Sequence, residues 1–223
     1  MRERTSITAV IWDIDGTLVD SEPNHHRALL AVCRAYNVSI DDVGSERLVG
    51  VHMSAIWENI LQERFPPSMN FDTWGRAIND EYIHSLTSVS VRPNAIQTIQ
   101  RLHRLGIRQA AVSNSARSIV DANLSLLNGP GELEFSLSID DVERGKPDPL
   151  PYKTACSRLG VDASASVAVE DSPSGLSSAC AAGMGCIAYR TAEFPELGAS
   201  HSCPVIENLA DVVSLVLTKR RFK

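Results

Sequence analysis

Two aspartates, Asp13 and Asp15, end an apolar run (Ile7, Ala9, Val10, Ile11, Trp12) that reads as a buried strand. Gly16 and Thr17 follow directly. A sheet interior cannot hold two unpaired carboxylates without a cation or strong donors. The pair therefore suggests a mouth at which a metal, or a substrate carried by one, offsets the charge. An Asp-Gly turn after a strand is also common, so this segment alone leaves both readings open. Three later segments bear on it. Ser113-Asn114-Ser115 follows the run Ala110-Ala111-Val112, and Lys146 stands in the loop Gly145-Lys146-Pro147-Asp148-Pro149. Glu170-Asp171-Ser172 follows Val167-Ala168-Val169.

Four carboxylates, one lysine and a hydroxyl at a helix start suit a divalent cation and a phosphate. Mg²⁺ takes hard oxygen ligands, commonly one or two carboxylates, with waters and substrate phosphate completing its octahedron. Lys146, the first of only four lysines in the chain, would meet a phosphate oxygen as a point charge. Ser113 and Asn114, with backbone amides at the following helix start, would supply donors and the positive end of a helix dipole. Each residue has a plainer reading: a surface lysine, a helix N-cap, a capping pair before Pro173. All four plain readings would have to hold at successive strand ends, and the joint arrangement favours the chemical one.

The elements that must position these groups follow from periodicity. From about Pro93 onward helices and strands alternate. Ile96, Ile99, Leu102 and Leu105 predict a helix over 95–105 that Gly106 ends. A strand over 108–112, a helix over 115–127, a strand over 133–139 and a helix over 149–159 follow. A strand over 167–169, a helix over 175–182, strands over 185–189 and 205–206, and a helix over 209–217 complete the series. Repeated strand–helix units argue for a doubly wound parallel α/β sheet, Rossmann-like, with helices on both faces. Residues 21–88 break the rhythm with helical patterns at 25–36, 54–65 and 71–86. The expectation is an all-helical domain at 21–88 inserted into an α/β core of 1–20 and 89–223.

Composition removes several classes of function. At 223 residues and 24.2 kDa, with 43% hydrophobic and 22% charged residues, the chain is ordinary for a globular protein. No apolar run approaches the roughly 18 residues of a membrane span, and because Met1 to Ser6 leads straight into the first strand no signal peptide is expected. A cytoplasmic location is expected. The five cysteines contain no Cys-x-x-Cys pair and read as small core residues in a reducing compartment. A net charge of −6 and a sequence pI near 5.5 argue against nucleic acid as a partner. The insert carries nine acidic residues against five arginines, a poor surface for a polyanion. The basic end, 219–223, reads as a solvated tail.

Together these motifs resemble those of the haloacid dehalogenase superfamily. Asp13-Ile14-Asp15-Gly16-Thr17-Leu18-Val19-Asp20-Ser21-Glu22 is similar to its first motif, Ser113-Asn114-Ser115 to its second and Lys146-Pro147-Asp148-Pro149 to its third. Glu170-Asp171-Ser172 with Gly175, Ala182, Gly183 and Met184 is similar to its fourth, and the insert matches the family's helical cap. The resemblance implies that Asp13 is the nucleophile and Asp15 the general acid and base. It implies that Asp13, the Asp15 backbone carbonyl and Asp171 hold Mg²⁺, with Glu170 beside them. It also implies that closing the cap excludes bulk water. The activity expected is a Mg²⁺-dependent phosphatase acting on a small phosphorylated metabolite, of sugar phosphate or phosphoglycolate type, through an aspartyl phosphate.

Within the superfamily the choice narrows. Members that dehalogenate need no metal and lack the carboxylates represented here by Asp15 and Asp171. Phosphonatases use a Schiff-base lysine in the cap, and residues 21–90 contain no lysine. A β-phosphoglucomutase-like alternative fits Glu22 and His25, but its hinge would carry cations where this chain has Val49 and Met53, with Arg47 nearby. A phosphometabolite-binding protein without turnover is a further alternative, disfavoured because every motif residue is intact. His25 and Arg117 are candidate substrate contacts, and His52, Met53 and Trp57 are candidate cap residues.

Overall fold

The computed structural model describes residues 6–44, 47–48, 53–127, 131–198 and 203–218. Val49 and His52 of the expected hinge and the basic end at 219–223 lie outside the described residues. The chain divides into two compact units, Met1–Val19 with Val91–Lys223, and Asp20–Ser90.

The first unit is built on a six-stranded sheet. Its strands are β1 (Ala9–Trp12), β4 (Arg108–Val112), β5 (Ser136–Leu137), β6 (Ser166–Glu170), β7 (Gly185–Tyr189) and β8 (Val205–Ile206), in the order β5-β4-β1-β6-β7-β8. Every pairing is parallel. Ile11 lies opposite Ala110 on one side and Ala168 on the other. From β1 the chain winds outward through β4 to β5, then returns to β6 on the other flank of β1. The winding reverses between β1 and β6, and the crevice beyond such a reversal is where open sheets bind ligands.

The central strands are mostly apolar because both faces are covered. Ala9 and Ile11 join Ala110, Val112 and Ala168 in one core, beneath Tyr152 and Leu159 of α6 (Leu150–Leu159) and Leu176 of α7 (Pro173–Ala181). On the opposite face Trp12 Nε1 donates to Gln109 Oε1 at 3.0 Å. Gln109 Nε2 in turn donates to Ile99 O of α4 (Ala95–Arg104) at 2.9 Å, so a buried amide inside the sheet is satisfied. Helix α4 packs against α8 (Asp211–Leu217), while α6 packs against α7.

Several elements are shorter than the sequence suggests, each for a local reason. The strand expected over 133–139 is reduced to β5, because the Asp141 carboxylate accepts from both Ser138 N and Ser138 Oγ at 2.7 Å and turns the chain into a 3-10 helix at Ile139–Asp141. The helix expected from 115 is α5 (Arg117–Ser125), since Ser115 N donates to Ser113 Oγ at 2.9 Å instead of entering a helix.

The second unit is helical: α1 (Glu22–Ala35), α2 (Met53–Ile56) and α3 (Phe71–His84). Asn70 caps α3 by accepting from Thr73 N at 2.9 Å. The single helix expected over 54–65 is instead α2 followed by a π-helical turn at Trp57–Leu61, closed by Gln62 N donating to Trp57 O at 2.8 Å. Trp57 packs 5.2 Å from Trp74 and 5.6 Å from Phe65, and α1 packs along α3. Among the described residues 22–88 holds no strand. The chain passes between the units in β2 (Val19–Asp20) and β3 (Ser90–Val91), two short strands that the sequence did not announce and that form a two-stranded sheet.

Candidate active site

Two adjacent strands, β1 and β6, end at one place. Asp13 follows β1, Glu170 closes β6 and Asp171 comes next. Oxygens of these three carboxylates lie within 4.8 Å of one another, and all three residues are buried. Lys146, equally buried, reaches this cluster from the loop before α6. Its Nζ lies 2.6 Å from Asp13 Oδ1, 2.6 Å from Glu170 Oε1 and 2.9 Å from Val112 O. The Tyr152 hydroxyl donates to Glu170 Oε1 at 2.6 Å, and its ring centroid lies 5.3 Å from Lys146 Nζ.

The second oxygen of Asp13, Oδ2, is buried and has no hydrogen-bond partner among the described residues. Three carboxylates against one ammonium leave two negative charges uncompensated when all are ionised. Burial, then the charge of Glu170, pushes Asp13 from 3.8 up to about 7, with Lys146 pulling the other way. Burial and the Asp13 and Glu170 charges likewise push Asp171 well above the ordinary carboxylate range. Burial disfavours the Lys146 ammonium, but the Asp13 and Glu170 charges outweigh it and hold the lysine charged. An orphaned buried acceptor among excess carboxylates fits a hard divalent cation. Asp13 and Asp171 have the freer oxygens. Glu170 has both oxygens engaged, Oε1 by Lys146 and Tyr152 and Oε2 by Ser172 Oγ at 3.1 Å.

Two glycines make room for this cluster. A Cβ on Gly16, which sits at φ +81°, would lie 1.9 Å from Asp171 Oδ2. A Cβ on Gly175 would lie 1.9 Å from the Glu170 carboxylate. Any side chain at either place would displace a carboxylate.

Asp15 belongs to a neighbouring polar net. Its Oδ2 accepts from Ser113 Oγ at 2.8 Å and Ser115 Oγ at 2.9 Å, and its Oδ1 accepts from Asn123 Nδ2 at 2.8 Å. Ser113, expected to face a phosphate, has its hydroxyl committed to Asp15. Asn114, also expected there, instead exchanges two hydrogen bonds with the Lys146 backbone: Nδ2 to Lys146 O at 2.9 Å, and Lys146 N to Oδ1 at 2.8 Å. Its amide holds the lysine loop. Arg117, expected to reach the substrate, donates through Nη1 to Asp121 at 3.1 Å and Ser136 Oγ at 2.8 Å. Its Nη2 donates to Ser136 O at 3.1 Å and pairs with Asp141. Ion pairs within the sheet unit thus take up both terminal nitrogens. His25 lies in the helical unit, stacked on Tyr82 at 4.3 Å.

Tyr152 and Asn123 are site residues that sequence reading passed over. Asn123 had a signal: an amide sharing a helix face with Ile119 and Val120, where polar residues are rare unless partnered. Replacing Asn123 with Ala removes one donor from the half-buried Asp15 carboxylate. The expected cost is about 1.5–3 kcal/mol of unfolding free energy, read from urea titrations of variant and wild type. An unchanged midpoint would show that Asp15 needs no such anchor.

Comparison with known proteins places this site in a family. Residues 10–189 match the family model of haloacid dehalogenase-like hydrolases. The chain belongs to that family and is a hydrolase of its kind. It is 26% identical over 181 residues to validoxylamine A 7'-phosphate phosphatase of Streptomyces hygroscopicus subsp. limoneus, covering 81% of this chain and 84% of that protein. It is 30% identical over 187 residues to a phosphoglycolate phosphatase of Cupriavidus necator, covering 79% and 78% of the two chains. The fold is similar to that of CbbY from Rhodobacter sphaeroides in complex with phosphate, with a TM-score of 0.81 at 23% identity over 92% and 96% of the chains. No helix among the described residues is long and apolar enough to cross a membrane.

Proposed function

We propose that the protein is a Mg²⁺-dependent phosphatase that hydrolyses a small phosphate monoester through an aspartyl phosphate. The observation that carries this reading is the orphaned Asp13 Oδ2 among three buried carboxylates and one lysine. Phosphatases among the relatives support the substrate class.

Asp13, Asp171 and the Asp15 backbone carbonyl are the groups assigned to the cation, with Glu170 holding Lys146 beside them. The cation, when bound, supplies the positive charge that lets a phosphate dianion approach a carboxylate. Asp13 attacks phosphorus through a carboxylate oxygen, and the ester oxygen leaves with a proton from Asp15. Asp15 takes a proton from the water that later cleaves the aspartyl phosphate. Ser113, Ser115 and Asn123 hold Asp15 for that exchange. Lys146, fixed by Asp13, Glu170 and Val112 O, offers its charge to the phosphoryl oxygens.

The test is phosphate release from a panel of phosphorylated metabolites, with Mg²⁺ and with EDTA. Release that Mg²⁺ supports and EDTA abolishes is expected, while full activity in chelator would overturn the cation assignment. Binding of metabolites without turnover would favour a non-catalytic protein. β-Glucose 1-phosphate with a trace of the 1,6-bisphosphate separates hydrolase from mutase. Glucose and free phosphate are expected, whereas glucose 6-phosphate forming faster than phosphate would identify a mutase.

A further inference from the structure

All five cysteines are free thiols, but two of them touch. Cys180 sits in the last turn of α7 and Cys186 is the second residue of β7, and their Sγ atoms are 3.0 Å apart. Gly183, at φ +84°, turns the chain from the helix into the strand and so brings the two sulfurs face to face. Cys186 is wholly buried in the core under α6 and α7. Cys180 and Cys203 are only partly buried and pack against the same core. Cys156, of α6, is buried in the same core, and Cys33 is buried in the helical unit.

We propose that Cys180 and Cys186 are a redox-closable thiol pair, which a low-molecular-weight disulfide converts into an intramolecular disulfide. A disulfide bond is about 2.05 Å long, so the sulfurs need approach by only about 1 Å. The order of events follows from access. Cys180, as thiolate, attacks one sulfur of the oxidant and expels a small thiolate, leaving a mixed disulfide on Cys180. The Cys186 sulfur then attacks the Cys180 sulfur, closes the bond and expels the second small thiolate. Two protein thiols are oxidised and one disulfide is reduced to two thiols, which carry away both protons. Burial, and then the hydrogen bond with Cys180, raise the Cys186 thiol strongly, consistent with its acting second.

The bond would tie the far end of the helix that shapes the site. Ser172, which caps α7, donates through Oγ to Glu170 Oε2, and the first turn of the helix places Gly175 against the same carboxylate. Oxidation would thus hold α7 at both ends, one on the acidic cluster and one on β7. The proposal stands whether or not the phosphatase reading does, since it is read from the thiols themselves.

The experiment uses the reduced full-length protein incubated with glutathione disulfide. Remaining thiols are alkylated, and intact mass and linked peptides are then mapped. The expected product has lost two hydrogens, joins Cys180 to Cys186 and reverts with dithiothreitol. Cys186→Ala should trap glutathione on Cys180, and Cys180→Ala should leave Cys186 unmodified, with circular dichroism verifying that each variant is folded. Glutathione persisting on Cys180 of the wild type, a Cys180–Cys203 link, or Cys180 unreactive in the folded protein would each overturn the proposal. The wild-type map decides the matter even if a variant does not fold.

Discussion

Asp13→Asn is expected to lower phosphate release by about a thousandfold or more, the scale seen when a covalent nucleophile is removed. An amide keeps the shape of the carboxylate but is no nucleophile at phosphorus. Trapping of labelled phosphoenzyme should vanish with turnover. Stability should move the other way. Asp13 stands against the charges of Glu170 and Asp171, so its neutral replacement relieves repulsion while Glu170 still pairs with Lys146. In chelator, at pH above about 7 where Asp13 ionises, the variant should melt no lower than wild type. A variant both active and free of deamidation would remove Asp13 from the chemistry. One that is inactive because it is unfolded would melt far below wild type, which the same measurement detects.

Mg²⁺ should stabilise the fold, and by more as the pH rises. Asp13 has a folded value of about 7 against an ordinary 3.8, so between them the folded chain holds a proton that the unfolded chain has lost. A carboxyl raised in this way favours folding fully below its ordinary value, and that advantage fades as the pH climbs through about 7. Asp171, raised for the same reasons, acts in the same direction. In chelator the protein should therefore lose stability across this range. A cation that binds the ionised carboxylates competes with those protons, so its affinity and stabilising effect rise with pH. At free Mg²⁺ about a hundredfold above its dissociation constant the gain is about 2.7 kcal/mol. For a chain of this size that corresponds to about 5–11 °C in the melting midpoint. The shift should be clear at about pH 8 and small at about pH 5, where protons hold the site. A Mg²⁺ shift independent of pH would mean that the ion binds elsewhere.

Much of this molecule was legible in the chain. The α/β alternation, and Asp13, Glu170 and Asp171 as polar groups at strand ends, follow from apolar runs that stop abruptly at charges, and Lys146 stands out in the proline-bearing loop before α6. Strands β4, β7 and β8 have the limits read from sequence because Gly106, Gly183 and Pro204 punctuate them. What was not legible depends on partners distant in sequence. Arg117 is committed by Asp141 and Ser136, and Asn114 by the backbone of Lys146, 32 residues away. Local spacing reveals neither partner. The π turn at Trp57–Leu61 is similarly hidden, because the pattern over 54–65 is helical whichever way its hydrogen bonds close. Asn123 is different: its position on an apolar helix face was readable, and only its partner Asp15 was not.

The clasp between Asn114 and Lys146 separates the lysine's position from the chain that leads up to it. Its backbone is pinned to Asn114, two residues beyond β4, and its ammonium rests on the last carbonyl of that strand. Glu143, exposed just upstream of the Arg144–Asp148 ion pair, therefore marks slack that evolution or a designer can lengthen without moving the charge. The slack stops at Gly145, where a Cβ would lie 2.6 Å from Asn114 Oδ1 and 2.5 Å from Ile139 Cδ1. An insertion one residue too late would prise open the clasp, and one placed earlier would leave it untouched.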